Sequence, residues 1–463
     1  MSTTGGNGPH ILLHPFPAPG HIIPLLDLTH LLITRGLTVT VLLTPTYVHL
    51  LQPLLSSHPS SSIQPLVLHA PDAPTSSQFR FVAKIRALGE LYDPILKWFR
   101  SHPTPPVAII SDFFLGWTHH LARELGVPRV VFWSSSAFQS SLSSCMWRDL
   151  PKRDDPDDDN CPVSFPNVPN SPIYPWWQLS FVYREYTEGD PDWEFVRNSM
   201  LANLVSWGVV CNSFTELERV YIDHLKKDMG HNRVWAVGPL MPPDDDLHGK
   251  RGGPSAVPTQ DVMTWLDSKA DDSVVYVCFG SHWVLTELQM RALAAAIQCS
   301  GVHFIWCVKA ADQENLAIVD GVADRVEGRG FVIRGWAPQV AILRHRAVGV
   351  FVTHCGWNSV LEGLAAGVMM LTWPLTADQF TNAKQLVDQL GVAIRACEGG
   401  SRIVPDSAEL TRLLAQSVGV MRPERARVME LRDAASEAMK EGSSSKDLDE
   451  LVKRLGELKS KKL

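Results

Sequence analysis

Apolar runs of strand length alternate with amphipathic, helix-length segments along most of the chain. In the first half HILLHPF leads into the helical IIPLLDLTHLLITRG. LTVTVLLT, VAIISDF with the helical WTHHLARELG, VPRVVFW and VSWGVVCNSF then follow. Runs that are apolar throughout, rather than alternating, mark strands covered on both faces, and the helical segments supply the crossovers of a parallel sheet. The pattern stops over residues 240–260, LMPPDDDLHGKRGGPSAVPTQ, which are aperiodic and rich in proline, glycine and charge. Such a segment is a linker. Beyond it the pattern restarts with SVVYVCF, the helical TELQMRALAAAIQCSG capped by Thr286 and Gln289, then VHFIWCV, GFVIRGW, VGVFVT, VMMLTW and GVAIRA. An α/β protein follows, with one doubly wound parallel-sheet domain over 1–239 and a second over 261–440. The two are expected to face one cleft, with ligands at the carboxyl ends of the strands. Leucines at 448, 451, 455 and 458 draw a helical stripe in the tail, so residues 441–463 are expected to pack across the domain junction.

Composition narrows the partners. A chain of 463 residues, 45% hydrophobic, is too long for one ordinary core. A net charge of −7 argues against nucleic acid or an anionic membrane as the main partner, since both require a basic face. An anionic small ligand would have to be held by local dipoles. The eight cysteines show no C-x-x-C spacing and several lie in apolar runs, which predicts buried free thiols in a reducing compartment. MSTTGGNGPH has neither a basic start nor a long apolar core, and no membrane span is expected. The expected location is the cytosol.

The strand-to-helix loops carry the candidate chemistry. FPAPGH, residues 16–21, places His21 where the first strand empties toward a helix. An imidazole, titrating ordinarily near pH ~6.5, can accept a proton at cellular pH, so His21 reads either as a general base or as a capping, solvated side chain. His14 reads as strand packing. Asp112 ends the run VAIIS and reads equally as a cap or as the anion behind such a base. In the second half, Gly280-Ser281 ends a strand with no bulky residue at 280, so that backbone amides could approach a phosphate. FVTHCGWNSVLEGLAAG, residues 351–367, breaks at Gly356 and resumes as a helix opened by Asn358 and Ser359. Ser359 with Glu362 fits a capping box, whereas the free amides of the same helix start suit an anion. Neither the dinucleotide G-x-G-x-x-G nor the P-loop pattern occurs. The acidic run DDPDDDN, residues 154–160, reads as a solvated loop rather than a metal-bridged phosphate site.

Residues 336–379 resemble the signature segment of plant small-molecule glycosyltransferases that use UDP-sugars, because W-A-P-Q, H-C-G-W-N-S-x-L-E and D-Q recur there in one order. PGH, SDFFLGW, VVCNSFTELE, VWAVGPL and VVYVCFGS are also similar to that family, so the resemblance runs nearly the whole length. It implies a GT-B fold of two Rossmann-like domains, the acceptor largely on the first and the UDP-sugar largely on the second. It further implies that Trp336 stacks on uracil, with Ala337 in the same donor-binding set, Gln339 near the ribose and Glu362 on the ribose hydroxyls. His354, Asn358, Ser359 and Ser281, with Gly280 and Gly356, would hold the diphosphate. Trp357, Asp378 and Gln379 would face the sugar, and Ser134 would touch it from the first domain. The helix start would then stabilise departing UDP without metal or other cofactor, with UDP-glucose as co-substrate. His21 would take the acceptor's proton, supported by Asp112, and the configuration would invert.

The implied enzyme glucosylates a small aromatic acceptor such as a flavonoid or phenolic acid, acts as a monomer and has no nucleic-acid or membrane partner. Trp357 and Gln379 favour glucose, while UDP-rhamnose, UDP-xylose or a catalytically silent UDP-sugar-binding protein are the alternatives. Trp117, Trp133, Trp147, Trp176 and Trp177 are compatible with an aromatic-lined acceptor pocket. Met369, where relatives usually have proline, and His282, where glutamine is common, depart from the pattern.

Overall fold

Five residues of unbroken burial, His10–His14, form β1 in the interior of a seven-stranded parallel sheet. In a computed structural model that describes residues 8–72, 80–242, 251–281, 284–309, 313–326 and 328–458, this sheet runs β3-β2-β1-β4-β5-β8-β9. Its other strands are β2 (Thr38–Leu43), β3 (Ile63–Val67), β4 (Ala108–Asp112), β5 (Arg129–Trp133), β8 (Gly208–Cys211) and β9 (Val234–Ala236). Two short strands, β6 (Pro162–Ser164) and β7 (Ile173–Pro175), make a separate antiparallel ribbon. Alternate residues serve opposite faces, as strand geometry requires. Leu12, Ile109 and Val131 enter one core, while Ile11, Ile110 and Val130 enter the other. β3, absent from the sequence reading, carries Pro65 and exposed Gln64 and Val67. It lies on the sheet's edge, where a missing N–H is tolerated.

The second sheet, also parallel, has the order β12-β11-β10-β13-β14-β15. It consists of β10 (Val274–Cys278), β11 (His303–Val308), β12 (Gly330–Arg334), β13 (Val348–Thr353), β14 (Met369–Thr372) and β15 (Ala393–Arg395). The helix Glu287–Ser300 starts with the expected capping box between Thr286 and Gln289. Met369, fully buried, pairs with Val350 and contributes to this unit's core. His282 lies outside the described residues.

The chain divides into two compact units, one of residues 1–241 with 438–463 and one of residues 242–437. Residues 243–250 of the expected linker lie outside the described residues. The tail stripe belongs to the first unit: Leu448, Leu451 and Leu455 of the helix Ser443–Gly456 are buried in the core that holds Ile11, Val39 and Trp235. Asp447 accepts a hydrogen bond from the Ala236 amide at 2.8 Å, and the Ser444 hydroxyl donates to the Gly238 carbonyl at 2.6 Å. The eight cysteines are all free; six are buried, Cys307 is half-buried and Cys299, against expectation, is exposed on the helix Glu287–Ser300. The acidic run is a loop of turns in which Asp155 and Asp158 accept from their own backbone and Asp159 pairs with Arg153. No helix among the described residues is long and apolar enough to cross a membrane.

Candidate active site

Both sheets reverse their winding at one place. In the first, the chain moves outward through β1, β2 and β3 and resumes with β4 on the other side of β1. In the second it moves through β10, β11 and β12 and resumes with β13 beside β10. Loops leaving adjacent strands at such a point diverge to opposite faces and open a crevice at the carboxyl ends. His21 follows β1 and Asp112 ends β4; Gly280-Ser281 follows β10 and His354 follows β13.

In the first unit the register pairs His14 with Ser111, which sets Asp112 just past the end of β1. The helix Pro19–Thr34 begins earlier than the sequence reading placed it, with proline at its first position, so His21 stands in its first turn. His21 Nδ1 lies 2.8 Å from Asp112 Oδ2, and Ser134 Oγ lies 3.0 Å from the same nitrogen. The other Asp112 oxygen accepts from the Phe114 amide at 3.0 Å, so the aspartate is cap and histidine partner at once. Asp112 is fully buried while the His21 side chain is 21% exposed, which leaves an imidazole anchored behind and open in front. His14 is buried edge-on to Trp117, and burial pulls its pKa down to about 3, so it stays neutral at cellular pH.

The aromatic rings that adjoin His21 are phenylalanines. Trp117, Trp133 and Trp147 are buried in the core, and Trp176 and Trp177 are half-buried. The rings that meet His21 are Phe16, Phe113 and Phe114, with centroids 5.3, 5.5 and 5.4 Å away. Phe81 adjoins both Phe16 and Phe114. Phenylalanines in SDFFLGW and HPFPAPGH carry no periodic signal in the sequence.

In the second unit the helix Trp357–Ala366 starts behind Gly356, without a side-chain cap. The capping box read from Ser359 and Glu362 is absent: Ser359 is the third helical residue and its hydroxyl accepts from Gln339 Nε2 at 3.0 Å. Gln339 Nε2 also donates to Glu362 at 2.6 Å, and Tyr276 holds the Gln339 carbonyl at 3.1 Å. Glu362 is further ion-paired to Arg251, whose backbone carbonyl accepts from the Trp336 indole at 3.1 Å. Trp336, Gln339, Ser359 and Glu362 thus form one connected cluster, with Ala337 buried between the first two.

Beside this cluster His354 is held between two glycines. A Cβ on Gly280 or on Gly356 would come within 2.5 Å of His354 Nε2, and Gly280 has φ +74°. Only glycine meets both demands at 280. Ser281 is exposed and Asn358 half-buried, while Trp357 is buried. Asn382, fully buried, donates from Nδ2 to the Cys355 carbonyl at 2.9 Å and to Asp378 at 3.1 Å, linking Asp378 to the loop that carries His354. The Gln379 side-chain carbonyl accepts from the Leu375 and Thr376 amides at 2.8 and 3.0 Å, which closes its own turn and holds the side chain in place.

The sequence reading missed Arg129, Arg251, Tyr276 and Asn382. Arg129 had a signal, a charge inside the apolar run VPRVVFW, since a buried charge always requires an arrangement around it. Arg251 lies in the aperiodic linker and had none.

Comparison with known proteins shows the family. Residues 232–399 match the family model for UDP-glucoronosyl and UDP-glucosyl transferase. UDP-glycosyltransferase 89B2 of Stevia rebaudiana is 52% identical, with 97% of this chain and 98% of that protein aligned. Flavonol 3-O-glucosyltransferase UGT89B1 of Arabidopsis thaliana is 51% identical over 96% of each chain. The crystal structure of Arabidopsis thaliana UGT89C1 complexed with UDP-L-rhamnose superposes with a TM-score of 0.79 at 38% identity, covering 97% of this chain and all (100%) of that one. With two parallel α/β units wound as those relatives require, this chain belongs to the plant UDP-glycosyltransferases of GT-B fold.

Proposed function

We propose that this enzyme moves glucose from UDP-glucose to a hydroxyl of a flavonol or related phenol, with inversion and without a divalent metal. The observation that carries the reading is the bond between His21 Nδ1 and buried Asp112. It fixes the tautomer with Nε2 unprotonated and facing outward, as a general base requires. The acceptor hydroxyl passes its proton to Nε2 and its oxygen forms a bond to the anomeric carbon. The bond from that carbon to the β-phosphate oxygen breaks, and its electron pair leaves with UDP. Trp336 and Ala337 receive the uracil, Gln339 and Glu362 the ribose. Gly280, Ser281, His354, Gly356, Asn358 and Ser359 receive the diphosphate, whose charge the uncapped helix start at Trp357 stabilises. Trp357, Asp378 and Gln379 face the sugar, Gln379 by its Nε2 while its Oε1 closes the 375–376 turn. Ser134 steadies the base. The enzyme works as a monomer in the cytosol.

Glucose is favoured over rhamnose by relatedness: the flavonol 3-O-glucosyltransferase is 51% identical, whereas a flavonol 7-O-rhamnosyltransferase of Arabidopsis thaliana is 38% identical. The test is competition between UDP-glucose, UDP-rhamnose and UDP-xylose at equal concentration with one flavonol, in chelator, reading products by mass. A dominant rhamnoside or xyloside overturns the donor, and loss of turnover in chelator overturns metal independence.

A further inference from the structure

Behind the His21–Asp112 pair lies a second buried charge. Arg129, the first residue of β5, is 2% exposed, and its guanidinium reaches the turn that carries Asp112. Nη2 donates to the Asp112 backbone carbonyl at 3.2 Å and Nε to the Ser111 hydroxyl at 2.8 Å. Nη1 donates at 2.8 Å to both Asn203 Oδ1 and Ser206 Oγ. Asn203 passes the connection on, donating from Nδ2 to the Phe113 carbonyl at 2.9 Å. One guanidinium therefore grips residues 111 and 112 directly and residue 113 through an amide.

All of these partners are neutral groups. A buried cation without a carboxylate in contact is expensive, and a protein relieves the cost with the nearest anion. Burial lowers the Arg129 pKa to about 9, and the Asp112 charge acts against that fall, so the guanidinium remains a cation at neutral pH. Its field also reaches His119, whose pKa is lowered by burial first and by Arg129 next. His231 donates from Nε2 to the Ser206 carbonyl, on the far side of the network. A further cation on the His21 loop is Lys84, which donates to the Pro17 carbonyl at 2.7 Å and lies over the Phe16 ring. Lys84 touches solvent and the surface loop, whereas Arg129 is sealed behind the aspartate.

We propose that Arg129 is the positioning residue of the catalytic pair: it fixes the backbone that aims the Asp112 carboxylate at His21, and its buried charge sets the pH below which the base stops working. The proposal rests on His21 acting as the general base. A cation behind Asp112 opposes the imidazolium that His21 becomes on accepting a proton. Removing that cation favours the protonated form, so the acid limb of the rate profile must move to higher pH.

The test is the pH dependence of kcat/KM with UDP-glucose and a flavonol for the wild type, Arg129→Met, Arg129→Lys, Asn203→Asp and His21→Ala. Arg129→Met is expected to lower kcat about 10- to 100-fold with the UDP-glucose KM within about twofold, and to raise the acid limb by about one pH unit, the size of one charge at short range. Arg129→Lys returns the limb to its wild-type position. Asn203→Asp, nearly isosteric, places a carboxylate on the guanidinium and moves the limb in the same upward direction; it decides the matter if Arg129→Met does not accumulate as folded protein. A limb that stays in place in these variants while kcat falls overturns the proposal and leaves Arg129 as scaffold. Wild-type turnover by His21→Ala overturns the base reading itself, a separate outcome.

Discussion

The guanidinium of Arg251 covers the carboxylate of Glu362, leaving the two side chains 13% and 5% exposed. The carboxylate's other oxygen is turned to Gln339, so under the proposed ribose role of Glu362 a ribose would compete with the guanidinium for the carboxylate. Arg251→Gln is therefore expected to bind UDP more tightly, roughly threefold to tenfold, about the strength of a partly exposed ion pair. Titration calorimetry reads it. In a Glu362→Gln background the gain disappears, because the arginine then has nothing to cover; weaker binding by Arg251→Gln alone would mean that it contacts the nucleotide directly.

His21→Ala is expected to keep UDP affinity within about twofold while turnover falls about 10²-fold or more, the usual contribution of a general base. Asp112→Asn alone should cost a comparable factor, since its amide cannot hold the imidazole in the same tautomer. Combined with His21→Ala it should cost little more, as groups acting as one unit are strongly non-additive. Losses that multiply would mean that Asp112 serves only the Phe114 cap.

Gly280→Ala tests the glycine clasp. The added methyl has both a positive φ, costing about 1–2 kcal/mol, and a position 2.5 Å from His354 Nε2 to contend with. UDP affinity is expected to fall about tenfold while the protein stays folded. Unchanged affinity would remove His354 from the diphosphate set.

Much of this was legible beforehand, and the reason is local. Runs such as VVYVC and VGVFV are apolar throughout, which marks a strand covered on both faces, and Thr286 with Gln289 writes its cap within four residues. The bond between His21 and Asp112 was not legible, because it depends on β4 returning to lie beside β1, a choice that no short stretch encodes. Serine-rich and polar helices such as Ala137–Asp149 and Thr215–Met229 escaped notice for a related reason. The first of these has its two leading amides held by the Glu218 carboxylate, 81 and 80 positions further on. Ser359 and Glu362 misled in the opposite direction: their spacing satisfies a capping box, but Gln339 and Arg251 claim both side chains.

Leu451→Ala is expected to destabilise the first unit by about 2–5 kcal/mol, the range for a fully buried leucine. Calorimetric melting should show the loss in the transition of that unit, with UDP still protecting the other. A variant that melts like the wild type would place the tail outside the core.

The return of residues 438–463 also governs how such an enzyme can be made and remade. A ribosome has released the first 241 residues long before it supplies the leucines that complete their core, so this unit cannot finish folding until residues 448–455 have been made. For the same reason, grafting the first unit of one relative onto the second unit of another calls for two cuts, near 241 and near 437. A chimera made with a single crossover would inherit one parent's sheet and the other parent's closing helix, with Leu448, Leu451, Leu455 and Asp447 asked to fit a surface they were not selected against.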